Sequence, residues 1–122
     1  MATKDNTQSV TIMAGADLSA LQYRFVTVDS TGRAIAPGAG AAVAGVLQND
    51  PTLDQAGLVD IAGVTKVTAG AAITTGARVM ATTAGKAIAA TATNHSLGIA
   101  LETGADNRVI RVLLQPTGIV PA

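Results

Sequence analysis

The placement of glycine constrains this chain more than any other feature. Thirteen glycines are scattered through 122 residues and interrupt the candidate helical windows. A glycine in a helix interior costs about 1 kcal/mol relative to alanine, so the abundant alanine does not translate into helix. What remains between the glycines is a series of short β-branched groups bounded by Gly, Asp, Asn and Pro, the pattern of strands. Strands are predicted at 9–13, 23–28, 33–36, 42–48, 57–61, 64–67, 78–82, 86–90, 96–101 and 108–114. The clearest is RVIRVLLQ, in which Val109, Arg111 and Leu113 alternate with Ile110, Val112 and Leu114, and Pro116 is expected to end the run. DSTG before Arg33 and TTAG before Lys86 predict hairpin turns, each with its glycine just ahead of the returning strand. The pattern is all-β, a small barrel or sandwich of short strands.

The side chains available to such a sheet are small. Hydrophobic residues make up 48% of the chain, mostly Ala and Val, while aromatics reach only 2% and Trp is absent. Burial returns roughly 25 cal/mol per Å², against an ordering cost of about 1.5 kcal/mol per residue. A lone copy with so small a core is expected to be marginal, and assembly with other chains would help it. Tyr23 and Phe25, the only rings, share parity and so one face of a strand. They are expected to anchor the core, with a subunit interface as the alternative.

Shifting the sequence by 53 positions lays GRAIA at 32–36 on GKAIA at 85–89, and Gly45-Val46 on Gly98-Ile99. Val26 then falls on Val79, and Val59 on Val112. A strand, a tight turn, a second strand, a loop and a third strand would occur twice. Ala/Gly-rich sequence also produces such matches by chance, so a true duplication and a coincidence both stay open.

Several function classes are excluded or disfavoured. Eight basic and eight acidic residues cancel, charged residues are only 13%, and no basic block could neutralise a run of phosphates. A nucleic-acid partner is therefore not expected. Cysteine is absent, which removes disulfides and thiolate chemistry. MATKDNTQS lacks the apolar run of a signal peptide, and no run approaches 18 apolar residues, so a soluble protein made in the cytoplasm, with no membrane partner, is expected. In GRAIAPGAGAAVAGVLQN, Gly38 and Gly40 begin a dinucleotide-like spacing, but Gly45 comes two positions late and strand-like sequence follows. A surface turn feeding a strand is the reading. His95 is the only histidine and lies in a polar loop, Ser19, Ser30 and Ser96 have no nucleophile-elbow context, and the acidic residues are dispersed. Asp50 and Asp54 flank PTL without a calcium-loop register, and Glu102 has no assignable partner carboxylate. No catalytic, cofactor-binding or metal-binding residue is assigned, no cofactor or small-molecule substrate is expected, and the protein is not expected to be an enzyme. Arg24 and Arg33 are the charges best placed to form a buried bidentate pair.

QYRFV at 22–26, GVLQN at 45–49, the AGAAIT–G–AGKA run from Ala69 to Ala87 and GIALE at 98–102 occur in a distinctive order and spacing. In these pieces, from about residue 10 to residue 114, the chain resembles the capsid decoration, or cement, proteins encoded beside the major capsid protein of tailed bacteriophages. The resemblance implies a small β-barrel or β-tulip-like domain over 10–122, with a short C-terminal tail and an extended N-terminal arm over 1–9. It implies a structural virion protein that binds the outside of the expanded head and bridges major capsid protein subunits. Homo-oligomers at three-fold and quasi-three-fold positions, commonly trimers, are also implied. Another phage structural component, such as a tail-tube, fibre or surface-array subunit, is the alternative. The polar arm, residues 1 to about 9, is expected to be disordered in the free protein and to order against a neighbouring subunit in the particle.

Overall fold

The computed structural model describes residues 5–119. Nine strands follow one another: β1 (Asp5–Met13), β2 (Phe25–Val28), β3 (Ala34–Ile35), β4 (Gly45–Leu47), β5 (Ala56–Thr68), β6 (Arg78–Ala81), β7 (Ala87–Ala89), β8 (His95–Ala100) and β9 (Val109–Ile119). They form one antiparallel sheet in the order β3-β2-β4-β5-β9-β8-β6-β7, with β1 paired to β5 off this path. The sheet is curled and open, a half-barrel, and the domain is all-β.

The sequence match at 53 positions is a structural duplication. Thr27↔Ile35 and Val28↔Ala34 between β2 and β3 recur as Met80↔Ile88 and Ala81↔Ala87 between β6 and β7. Phe25↔Val46 and Val26↔Gly45 recur as Arg78↔Ile99 and Val79↔Gly98. Val46↔Asp60 and Leu47↔Val59 recur as Ile99↔Leu113 and Ala100↔Val112. The opening strand of each repeat is offset slightly differently: the parallel bridge Ala14↔Ala34 becomes Ala69↔Ala87. The second repeat is thus two residues shorter between that bridge and its next strand. Repeat one comprises β1 to β4 and the first half of β5; repeat two comprises the second half of β5 and β6 to β9.

Left-handed backbone positions mark the same relation. Tyr23 and Gly76, Gly32 and Gly85, Gly40 and Thr93, and Asp54 and Asn107 are four equivalent pairs with positive φ. The remaining one, Gly63 (φ 93°), lies within β5 where one repeat gives way to the next. Each repeat has its own core. Ala14, Leu18, Val26, Ala34, Leu47 and Val59 fill the first, and their counterparts Ala69, Ile73, Val79, Ala87, Ala100 and Val112 sit in the second. The second core is larger: it adds Val67, Ala81, Leu97 and Ile110 of its own repeat, and Phe25 and Val46 of repeat one are packed into it.

Three expectations need correction. The strands predicted at 57–61 and 64–67 are halves of the 13-residue β5, because Gly63 is accommodated within the strand and does not break it. Pro116 does not end the last strand: β9 continues to Ile119, with Gly118 opposite Ser96 and Ile119 opposite His95. Pairing of β9 to β5 stops at Leu114↔Gly63, so this extension has an open edge, where a residue without an N–H is tolerated. Residues 5–9 of the expected arm are paired in β1, with Asp5 opposite Val64, Gln8 opposite Ala62 and Ser9 opposite Asp60. Main-chain pairing needs no apolar side chain, which is why polar composition misled here. Register shifts between these pairs make this end of the ladder irregular. Residues 1–4 of the arm lie outside the described residues.

Candidate functional site

The glycine-rich stretch that begins like a phosphate turn is a main-chain clasp between the two repeats. Gly40 N donates to Ala81 O at 2.8 Å, and His95 N donates to Gly40 O at 2.9 Å. A Cβ at Gly40 would lie 2.0 Å from Asn94 Oδ1, and its φ of +65° also favours glycine. A second group of ties surrounds the start of β2. Phe25 N donates to Gly85 O (2.7 Å), Thr68 N to Tyr23 O (2.6 Å) and Arg24 Nη1 to Ala84 O (3.3 Å). Gly85 is pressed so closely that a Cβ would meet Phe25 O at 2.6 Å.

The two rings part company. Phe25 is fully buried and anchors the larger core, as expected. Tyr23 precedes β2, and its positive φ breaks the strand alternation that would have given it the same face. It is half-buried, with Lys66 Nζ 5.5 Å from the ring centroid, a cation–π contact.

The other singled-out side chains serve turns and strand ends. Arg33 forms an exposed ion pair with Asp54, not a buried bidentate one. Its counterpart Lys86 reaches Asn107 Oδ1 at 2.5 Å and Asp106 at 3.3 Å, so both repeats tie the same loop to the same hairpin. Glu102 Oε1 accepts Arg111 N at 3.0 Å, the bond that Asn49 Oδ1 makes with Leu58 N at 2.9 Å one repeat earlier. Asp29 Oδ1 accepts from Thr31 N, Thr31 Oγ1 and Arg33 N, closing the DSTG turn. The Thr31 hydroxyl, ahead of the Arg33 amide, holds the Asp29 carboxyl below its usual range. Asp17 is lowered in the same way by Ser19. Asp50 and Ser30 are exposed, and Ser96 is buried in β8.

Sequence reasoning missed one polar cluster. Asp60 is fully buried in β5, accepting from Ser9 Oγ at 2.5 Å and Thr65 Oγ1 at 2.7 Å, and Gln48 Nε2 donates to Thr65 Oγ1 at 2.9 Å. Its counterpart is the partly buried Leu113, so the duplication itself carried the only hint that position 60 faces inward. The cluster lies where β1, β4 and β5 meet and has the form of a structural network, in which Gln48 Oε1 alone lacks a hydrogen-bond partner among the described residues.

Among the described residues no pocket opens and no three potential metal ligands converge. The surface offers aliphatic area instead: Val10, Met13, Leu58 and Ile61 lie 39–45% exposed along the β1–β5 ribbon, with Val28 at 44% on β2. Such a surface can bind by apolar burial and main-chain pairing.

A family model described as phage cement protein matches residues 2–115. Among solved structures, the head fiber gp8.5 N base of bacteriophage phi29 is similar in fold, with a TM-score of 0.73 and 16% sequence identity. The likeness covers 89% of this chain and 94% of that one. No curated protein matches the chain.

Proposed function

Since the chain belongs to the phage cement protein family, we propose that it binds the outside of the expanded head and staples neighbouring major capsid protein subunits together. It is a structural protein of the virion, and its place is the capsid surface. The observation that carries the proposal is the match of the cement-protein model along nearly the whole described chain. The exposed aliphatic β1–β5 ribbon supports attachment through surface area. Anything that binds the assembled shell and not its dissociated subunits stabilises the shell by mass action. The working unit is a homo-oligomer, a trimer at three-fold and quasi-three-fold positions, and it performs no catalysis. Dispersed acidic residues and a single half-buried histidine support that last part of the reading.

The phi29 likeness favours a second reading, in which the domain serves as the base of a head fibre. A density map of expanded shells incubated with the protein tests both. Added density capping three-fold positions supports the first, and fibres projecting from the added density support the second. Shells with no added density would refute both.

A further inference from the structure

The contact between the repeats is one-sided, and this leaves two matching faces bare. Repeat one presents Tyr23, Arg24, Phe25 and Gly40; repeat two receives them at Thr68, Ala81, Ala84, Gly85 and His95. By the duplication, repeat two carries a second copy of the presenting face, and repeat one a second copy of the receiving face. Neither has a partner among the described residues.

The paired positions differ in burial in the way this demands. Gly85 and Gly32 share a conformation (φ 79° and 81°), yet Gly85 abuts Phe25 while Gly32 has nothing within 4 Å of a Cβ. Thr68 is 7% exposed and Ala81 is fully buried, whereas their counterparts Met13 and Val28 are 45% and 44% exposed. On the presenting side, Phe25 and Gly40 are buried while their counterparts Arg78 and Thr93 are exposed. Gly76, the counterpart of Tyr23, also faces open space.

We propose that copies of this chain associate head-to-tail. The Gly76–Arg78 and Thr93 face of one copy docks on the Met13, Val28 and Thr31–Gly32 face of the next, repeating the internal contact between chains. The occupant is a second copy because this chain already holds, in its own first repeat, a surface shaped to the receiving face. The contact is heterologous, so it closes into a ring when the rotation between copies allows. With Arg78 where the internal contact has Phe25, it is less apolar than its internal model. It is therefore reversible in dilute solution and favoured where the shell concentrates the copies. The proposal rests on the reading of the protein as an oligomer on the shell surface, and it names the surface used.

The chain has no cysteine, so engineered thiols report cleanly. Thr31→Cys and Ala77→Cys are the counterparts of Ala84 and Arg24, and the doubly substituted Arg24→Cys/Ala84→Cys chain calibrates a short bismaleimide on the internal contact. The two single variants are cross-linked separately and mixed, both as concentrated free protein and on expanded shells, with shell binding read by co-sedimentation. A species of twice the chain mass in the mixture, and in neither variant alone, is expected. Thr31→Cys cross-linking to itself, or no cross-linked pair in the mixture under either condition, would overturn the proposal. Loss of co-sedimentation would count against shell attachment instead, and the concentrated free protein would still decide the contact.

Discussion

At the residue scale, left-handed backbone carries more of this fold than large side chains do. Gly32 and Gly85 close equivalent hairpins at nearly the same φ, so alanine at either pays a similar backbone cost of about 1–2 kcal/mol. Only at Gly85 would the added Cβ also strike main chain, at Phe25 O. Overpacking of that kind adds roughly 1–3 kcal/mol. Urea unfolding of Gly32→Ala and Gly85→Ala should therefore show the larger loss at Gly85. Equal losses would mean that the repeats are not held together through this approach. Asp54 and Asn107 adopt the same conformation without glycine, in keeping with the tolerance of Asp and Asn for left-handed backbone.

At the scale of elements, β5 joins the two repeats. Its first half pairs with β1 and β4, its second half with β9, and the strand is long enough to finish one repeat and open the other. Each half-sheet then curls until its short third strand meets the chain that follows its first strand, at Ala14↔Ala34 and Ala69↔Ala87. The start of β1 is the weakest part of this scheme, since its register slips between Asp5, Gln8 and Ser9. Deleting residues 2–8 removes the irregular pairs and keeps Ser9–Met13, with the Ser9 bond to buried Asp60 intact. The truncated protein is expected to keep its circular dichroism and cooperative melting while attaching less tightly to expanded shells. Wild-type affinity after the deletion would show that this segment takes no part in attachment.

For the whole molecule, the balance of eight positive and eight negative charges in a chain only 13% charged leaves long-range electrostatics a minor term. Exposed ion pairs such as Arg33–Asp54 are worth little and are screened within about 8 Å at physiological salt. Attachment is expected to come from main-chain pairing and aliphatic burial at roughly 25 cal/mol per Å² before ordering costs. Titrating labelled protein onto expanded shells between about 0.05 and 0.5 M NaCl, well beyond physiological screening, should change affinity little. Replacing Val10 or Ile61 with aspartate should weaken it strongly if the β1–β5 ribbon is the attaching surface. A tenfold or greater loss with rising salt alone, about 1.4 kcal/mol, would mean that charge pairs dominate.

The all-β class and the strand positions from β2 to β8, apart from the division of β5, followed from local chemistry that any window displays. Glycine excludes helix, β-branched groups mark strands, and DSTG and TTAG set hairpins whose glycines do lead the returning strand. The 53-residue repeat was equally visible as a string, because both copies must satisfy the same local geometry at the same offsets. Whether it was real needed the sheet, since identical registers at equivalent positions such as Val26↔Gly45 and Val79↔Gly98 are long-range facts. The same holds for what distinguishes the copies. Phe25 and Tyr23 look alike by parity, and only the turn at Tyr23 separates them. Gly40 looks like half of a phosphate motif, and only its place against Ala81 and Asn94 shows a clasp. Pro116 looks like a stop, and only the open edge of β9 lets the strand pass through it. Local preference acts through neighbours in the chain and can be read there. Which repeat covers which depends on packing between residues some 50 positions apart, and only the folded molecule decides it.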